Sequence, residues 1–260
     1  MDRGIIKILN IEYWTPNVEV KYKIEHDELY LLQHWILDIQ YSIFYFVFFL
    51  PHSNLMSTTY SYLALGDSYT IGEGVPVYEN FPYQTVQRLR KAGYAIYAAE
   101  IVAKTGWTTD ELQAGIDNSS FLNTYDVVSL LIGVNNQYRG RSLQEYTQQF
   151  ESLLKQAIRF ADNKVSHVFV VSIPDWGVTP YATNNGKNAA VVAHEIDAFN
   201  AVNKSLANKY SVHYIDITPG TRLAANDTSL LAADQLHPSG KEYAIWAKKL
   251  SEAIQQVIPK

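Results

Sequence analysis

The chain has 260 residues, 47% of them hydrophobic and 18% charged, with a net charge of −5. That is enough apolar material for one large packed domain, with or without an appendage, and the lack of a basic run argues against a nucleic-acid partner. With no cysteine in the chain, disulfides, thiolate metal sites and cysteine nucleophiles are excluded.

Residues 1–55 read differently from the rest. They are expected to be an N-terminal extension, with the main domain over 56–260. The segment 29–50 is rich in aromatics and leucine, but its uninterrupted apolar run, Ile43 to Leu50, has only eight residues. A spanning helix needs about 20. Gln33, His34, Asp38 and Gln40 break up the stretch before it. A secretory signal places its apolar core close to the amino terminus, after a short basic region. Membrane contact through 29–50 is therefore disfavoured, and a cytoplasmic location is expected. Met56 stands just before the first predicted strand and is a second candidate start for the domain.

From residue 58 onward, apolar runs of strand length alternate with helical periodicity. The predicted strands are Tyr60 to Gly66, Ala95 to Ala103, Val127 to Ile132, Val168 to Ile173 and Val212 to Ile217. A helix is expected from Asn80 and Pro82 to about Lys91. Another begins near Thr108, which forms a capping-box pattern with Glu111. The longest amphipathic pattern is Ser142 to Ala161, opened by Ser142 and Glu145, with Phe150, Leu153, Leu154, Ala157, Ile158 and Ala161 on one face. Further helices are expected over Ala189 to Lys209 and Gly240 to Val257. This order implies an α/β fold of three layers, α/β/α, around a five-stranded parallel sheet. Ligands bind such sheets beyond the carboxyl ends of the strands.

Four loop positions stand out against that frame. Ser68, in LGDSYTIGEG, follows the first strand at once, exposed yet held by a fixed backbone. Gly106, in KTGWTTDEL, lies in the tight connection after the second. Asn135, in LLIGVNNQY, follows the third and offers two N–H donors. His237, in DQLHPSG, lies before the last helix, since the residue ahead of a proline disfavours the helical region. Asp234 precedes it by three residues, which lets the carboxylate fold back on the imidazole, fix its tautomer and orient it as a base. Each signal alone has an ordinary turn explanation.

Together and in this order, the Gly-Asp-Ser block, Gly106, the Gly133-Val134-Asn135-Asn136 block and Asp234-x-x-His237 resemble the SGNH hydrolases, also called GDSL esterases and lipases. The resemblance spans roughly residues 58–258. Two positions depart from the pattern: Tyr69 stands where leucine is usual, and Asn136 where aspartate is usual, which removes a charge near the oxyanion site. The family implies a flavodoxin-like fold and hydrolysis of a small carboxylic ester through an acyl-enzyme. Ser68 is then the nucleophile, His237 the base and Asp234 its orienter. The backbone N–H groups of Ser68 and Gly106 and the amide of Asn135 form the oxyanion hole.

No metal or cofactor is expected. His194 followed by Glu195 lacks the second histidine of a zinc helix. Trp107, Asn136, Tyr138 and Trp176 are candidate substrate-pocket residues, the last within the segment 172–188 beyond the fourth strand. Short loops favour small acyl groups, and oligomeric state is left open. An α/β-hydrolase elbow is disfavoured because Thr70 stands where Gly-x-Ser-x-Gly requires glycine. The remaining alternative is a non-catalytic small-molecule binding module on the same layered fold. Against a phosphate ligand stand Asp67 and Glu73 in the first loop.

Overall fold

Five strands pair into one parallel sheet in the computed structural model, which describes residues 59–260. They are β1 (Tyr62–Asp67), β2 (Glu100–Lys104), β3 (Val127–Leu131), β4 (Val168–Val171) and β5 (His213–Ile215). The expectations for residues 1–55, for the segment 29–50 and for Met56 lie outside the described residues.

The sheet order is β2-β1-β3-β4-β5, with Leu65 of β1 opposite Val102 on one side and Leu130 on the other. Every residue of β1, β3 and β4 is buried. Helices cover both faces of a parallel sheet, so its inner strands are continuously apolar instead of alternating. The two edge strands are shorter than the sequence predicts. Ahead of Glu100, Ile96 touches Tyr60 through one isolated bridge, and Tyr97 is 61% exposed. With a neighbour on one side only, residues 95–99 gain little from pairing. β5 likewise keeps three residues of the predicted Val212–Ile217.

The helices are α1 (Ser68–Ile71), α2 (Phe81–Lys91), α3 (Thr109–Asp117), α4 (Val134–Tyr138), α5 (Leu143–Phe160), α6 (Pro180–Asn184), α7 (Ala189–Lys209), α8 (Thr218–Thr221) and α9 (Gly240–Ile254). Their starts follow local chemistry. Asn80 Oδ1 accepts from the Tyr83 N–H at 2.8 Å. Glu111 closes the capping box by accepting from the Thr108 N–H at 2.9 Å. Ser142 Oγ accepts from the Glu145 N–H at 3.2 Å. Such caps satisfy N–H groups that the first helical turn leaves without partners. α9 stops at Ile254 where periodicity suggested Val257, because the chain tightens into i→i+3 bonds there, Val257 N–H to the Ile254 carbonyl at 3.0 Å.

Along α5 the buried stripe is Tyr146, Phe150, Leu153, Leu154 and Ala157. Ile158 is only half-buried. α9 and α2 meet through Trp246 and Phe81, both almost wholly buried, with ring centroids 6.0 Å apart. Burial of each such ring stabilises the layer by roughly 2–3 kcal/mol. Among the described residues no helix is long and apolar enough to cross a membrane.

The connection out of β1 runs to β2 on one side, and the chain then crosses to β3 on the other. A crevice opens where such an order reverses, beyond the carboxyl ends of the strands. Ser68, Gly106 and Asn135 follow β1, β2 and β3 respectively. Topology alone therefore carries them to one edge.

Candidate active site

Asp67 ends β1 and caps α1 at once, its Oδ1 accepting from the Tyr69 N–H at 3.0 Å. This cap turns the chain sharply, and Ser68 becomes the first residue of α1. Its N–H has no partner within that helix. The residue is buried, at 4% exposure, where the sequence suggested an exposed serine, because His237 closes over its hydroxyl.

His237 reaches Ser68 from 169 positions away. Nε2 lies 2.9 Å from Ser68 Oγ, and Nδ1 lies 2.6 Å from Asp234 Oδ2. The loop that carries them is built locally. Asp234 Oδ1 accepts from the backbone N–H groups of Leu236 and His237, each at 3.0 Å. The Ala232 N–H donates to the His237 carbonyl at 2.8 Å, and the Ser239 N–H to the Leu230 carbonyl at 2.8 Å. Burial works against charge on Asp234, but the bonds from the His237 ring and from these two N–H groups outweigh it and hold the carboxyl below its ordinary value. An ionised carboxylate only accepts, so Nδ1 carries the proton and Nε2 offers its lone pair to the serine hydroxyl. The Tyr69 ring, buried by α1, packs on the imidazole with centroids 4.8 Å apart.

Gly106 and Asn135 line the same cleft as Ser68 and His237. Gly106 has φ +82°, a left-handed conformation that side chains rarely adopt. Its carbonyl accepts from Arg139 Nη2 at 2.6 Å, and Arg139 also pairs with Glu111 at 3.1 Å. Arg139 thus ties α4 to the β2–α3 turn. Gly133, at φ 133°, makes the turn into α4, and a Cβ there would sit 2.5 Å from the Tyr146 hydroxyl. Asn135 Nδ2 donates to the Trp107 carbonyl at 3.1 Å and, at 3.4 Å, to Asp67 Oδ2. Asp67 is wholly buried, and that burial pushes its carboxyl up to about 7.

The pocket candidates separate. Tyr138 and Trp176 line the cleft, joined by Tyr181 from the same segment as Trp176 and by Val134, Thr105 and Leu236, which the sequence did not point to. Trp107 does not line it. Its indole lies so close over α3 that a Cβ on Gly115 would meet the ring at 2.1 Å. Asn136 does not line it either. It is fully buried and clasps Thr109, with Oδ1 accepting from the Thr109 N–H at 3.1 Å and Nδ2 donating to the Thr109 hydroxyl at 2.8 Å. The expected missing charge at position 136 therefore concerns a buried loop clasp, away from the cleft. Trp176 is fixed by its own Nε1, which donates to Gln137 Oε1 at 2.7 Å. Arg141, just beyond α4, is paired with Glu145 and Asp110.

The cleft over Ser68 and His237 has a volume of about 150 Å³. Among the described residues no group of three or more histidine, aspartate or glutamate side chains is arranged to hold a metal ion.

Solved structures with this architecture include a lipase/acylhydrolase from Enterococcus faecalis, with a TM-score of 0.62 at 16% identity, covering 78% of this chain and 99% of that one. The lipase Lip_vut3 from a goat rumen metagenome gives a TM-score of 0.59 at 20% identity, over 75% and 97% of the two chains. The psychrotrophic esterase EstA from Pseudoalteromonas sp. gives 0.55 at 16% identity, over 75% and 97%. At these identities the likeness is one of fold. No curated protein matches the sequence. The model of the GDSL-like lipase/acylhydrolase family matches residues 64–245, which contain every residue of the cleft. The chain thus belongs to the GDSL-like lipase/acylhydrolase family of carboxylic ester hydrolases.

Proposed function

We propose that this hydrolase cleaves esters of small acyl groups through an acyl-enzyme on Ser68. The observation that carries the reading is the unbroken chain Asp234–His237–Ser68, with separations of 2.6 and 2.9 Å. Ser68 Oγ attacks the acyl carbon while His237 Nε2 takes its proton. The imidazolium so formed is stabilised by Asp234. It returns the proton to the departing alcohol, then activates the water that releases the acid.

Negative charge develops on the former carbonyl oxygen in both halves of the reaction. The N–H groups of Ser68 and Gly106 and the amide of Asn135 supply the donors. The 3.4 Å contact of Asn135 with Asp67 is at the long end of hydrogen bonding. That N–H is the one free to turn to the oxyanion. One donor of this kind is worth about 3 kcal/mol in the transition state.

The acyl preference rests on volume. A cleft of about 150 Å³ is well below the 300–1,000 Å³ or so typical of pockets that enclose a whole drug-sized ligand. Leu236, Val134 and the rings of Tyr138, Trp176 and Tyr181 give it an apolar lining suited to a short acyl group.

The test is turnover of p-nitrophenyl esters of increasing chain length by the full chain and by Ser68→Ala. Acetate and propionate should be the best substrates. Ser68→Ala should lose about 10⁴-fold or more in kcat. Undiminished turnover by that variant would remove Ser68 from the reaction, and a preference for long acyl chains would remove the size argument.

A further inference from the structure

A second and larger depression lies against the cleft. Its volume is about 600 Å³, and Tyr138 and Trp176 belong to the walls of both. α4, the turn before α7 and the first turns of α7 enclose it. Gln137, Trp176, Val192 and Phe199 are buried there, whereas Lys187, Asn188, His194 and Glu195 are exposed. The floor is held rigidly, since Gln137 links Trp176 Nε1 at 2.7 Å to Glu195 Oε2 at 2.6 Å.

We propose that this groove is a subsite for the alcohol half of the ester, and that the alcohol is polyhydroxylated, a sugar or a compound of that kind. The inference rests on the ester-hydrolase reading of Ser68 and names its substrate class. Volume divides the two halves of the substrate. About 150 Å³ at Ser68 accommodates a short acyl group, and the groove next to it, at about 600 Å³, accommodates a mono- or disaccharide.

Chemistry then selects among occupants. Leu143 and Val191 also line the groove and are exposed, but a long acyl chain laid on them would strip water from Lys187, Asn188, His194 and Glu195 without replacing its hydrogen bonds. An anionic head group would meet the Glu195 carboxylate, and the Arg141 guanidinium on the same wall is already held by Glu145 at 2.8 Å. Hydroxyl groups suit the set as it stands. The Lys187 ammonium donates, the free Glu195 oxygen accepts, and the Asn188 amide N–H is not used by its cap, which employs only Oδ1. Lys187 has no carboxylate within ion-pair distance among the described residues, and its Nζ lies 5.6 Å from the centre of the Tyr138 ring. That ring is 44% exposed and offers an apolar face on which a sugar C–H face can rest.

The test compares 6-O-acetylglucose with cyclohexylmethyl acetate, which has the same acyl group on a similar frame without hydroxyls, in the full chain and in Lys187→Met and Glu195→Gln. The wild type should favour the sugar ester in kcat/KM by about tenfold or more, and each variant should lose about tenfold of that preference. Equal use of both esters, or a preference unchanged in both variants, overturns the subsite and leaves the esterase reading standing. So does a p-nitrophenyl octanoate kcat/KM well above that of the acetate, which would seat an acyl chain in the groove. Failure of the wild type to cleave any of these esters overturns the esterase reading, and the subsite with it.

Discussion

Asn135→Ala removes one hydrogen-bond donor from the edge of the cleft. If its amide meets the oxyanion, kcat should fall by about 10²–10³-fold with KM nearly unchanged, because the interaction forms only as charge develops. Steady-state kinetics on p-nitrophenyl acetate reads this directly, and a change confined to KM would place Asn135 in ground-state binding instead. Asp67, beneath it, makes a different prediction. Burial raises its carboxyl from 3.8 to about 7. Between those values the native state holds the proton more tightly than the unfolded chain does. The stability it contributes is therefore fully present below the unfolded value and lost as pH rises through the native one. Asn at position 67 keeps the cap oxygen and does not titrate. The unfolding free energy of the wild type, relative to Asp67→Asn, should drop by about 2–4 kcal/mol between about pH 4 and about pH 8. Urea denaturation of both proteins at the two pH values measures it, and a constant difference would mean that Asp67 is ionised throughout. At this scale the meeting of Ser68, His237 and Asp234 was legible, because the end of a buried strand and an Asp-x-x-His loop are local patterns. The burial of Asp67 was not, since it depends on β2 pairing beside it and on Asn135 of α4 reaching it.

Elements carry the second lesson. The caps at Asn80, Thr108 and Ser142 were readable because each is settled within four residues of sequence. Edge strands were overextended because an apolar run does not reveal whether a neighbour exists on both sides. Asn136 shows where local reading stopped. By its position in the motif it belongs beside the oxyanion site, yet it joins α4 to α3 through Thr109. The Thr109 hydroxyl also donates to Gln149 Oε1, so its single hydrogen is committed. An aspartate at 136 would then set carboxylate lone pairs against hydroxyl lone pairs in a buried site. Asn136→Asp should cost about 1–3 kcal/mol of stability, and Asn136→Ala a similar amount by leaving the Thr109 N–H unpaired. Thermal or urea denaturation tests both. A more stable Asn136→Asp would show that the carboxylate finds another partner.

At the scale of the whole molecule, the sheet interior is expected to carry stability without taking part in the chemistry. Leu130 lies on central strand β3, at 0% exposure, away from the cleft. Leu130→Ala should lower the unfolding free energy by about 2–5 kcal/mol with kcat on p-nitrophenyl acetate within about twofold at a temperature where the variant stays folded. A large loss of kcat in fully folded variant would couple the sheet interior to the chemistry. The layered fold itself was legible because alternating strands and helices admit few arrangements, and right-handed parallel crossovers send every β-to-α loop to one edge. The groove beyond Tyr138 was not legible. It is made by the path of residues 180–199 across α4, and no local pattern encodes the distance between those segments. The sequence named Tyr138 and Trp176 as candidates without showing that they separate two spaces of unequal size.

An organophosphorus reagent, which phosphonylates a serine hydroxyl activated by a neighbouring base, is the direct probe of the central claim. The full chain should be treated with a fluorophosphonate, digested and mapped by mass spectrometry. A single adduct on the peptide that carries Ser68, strongly slowed in His237→Ala, is the expected result. An adduct on another serine, or none on a protein that still cleaves esters, would contradict the account.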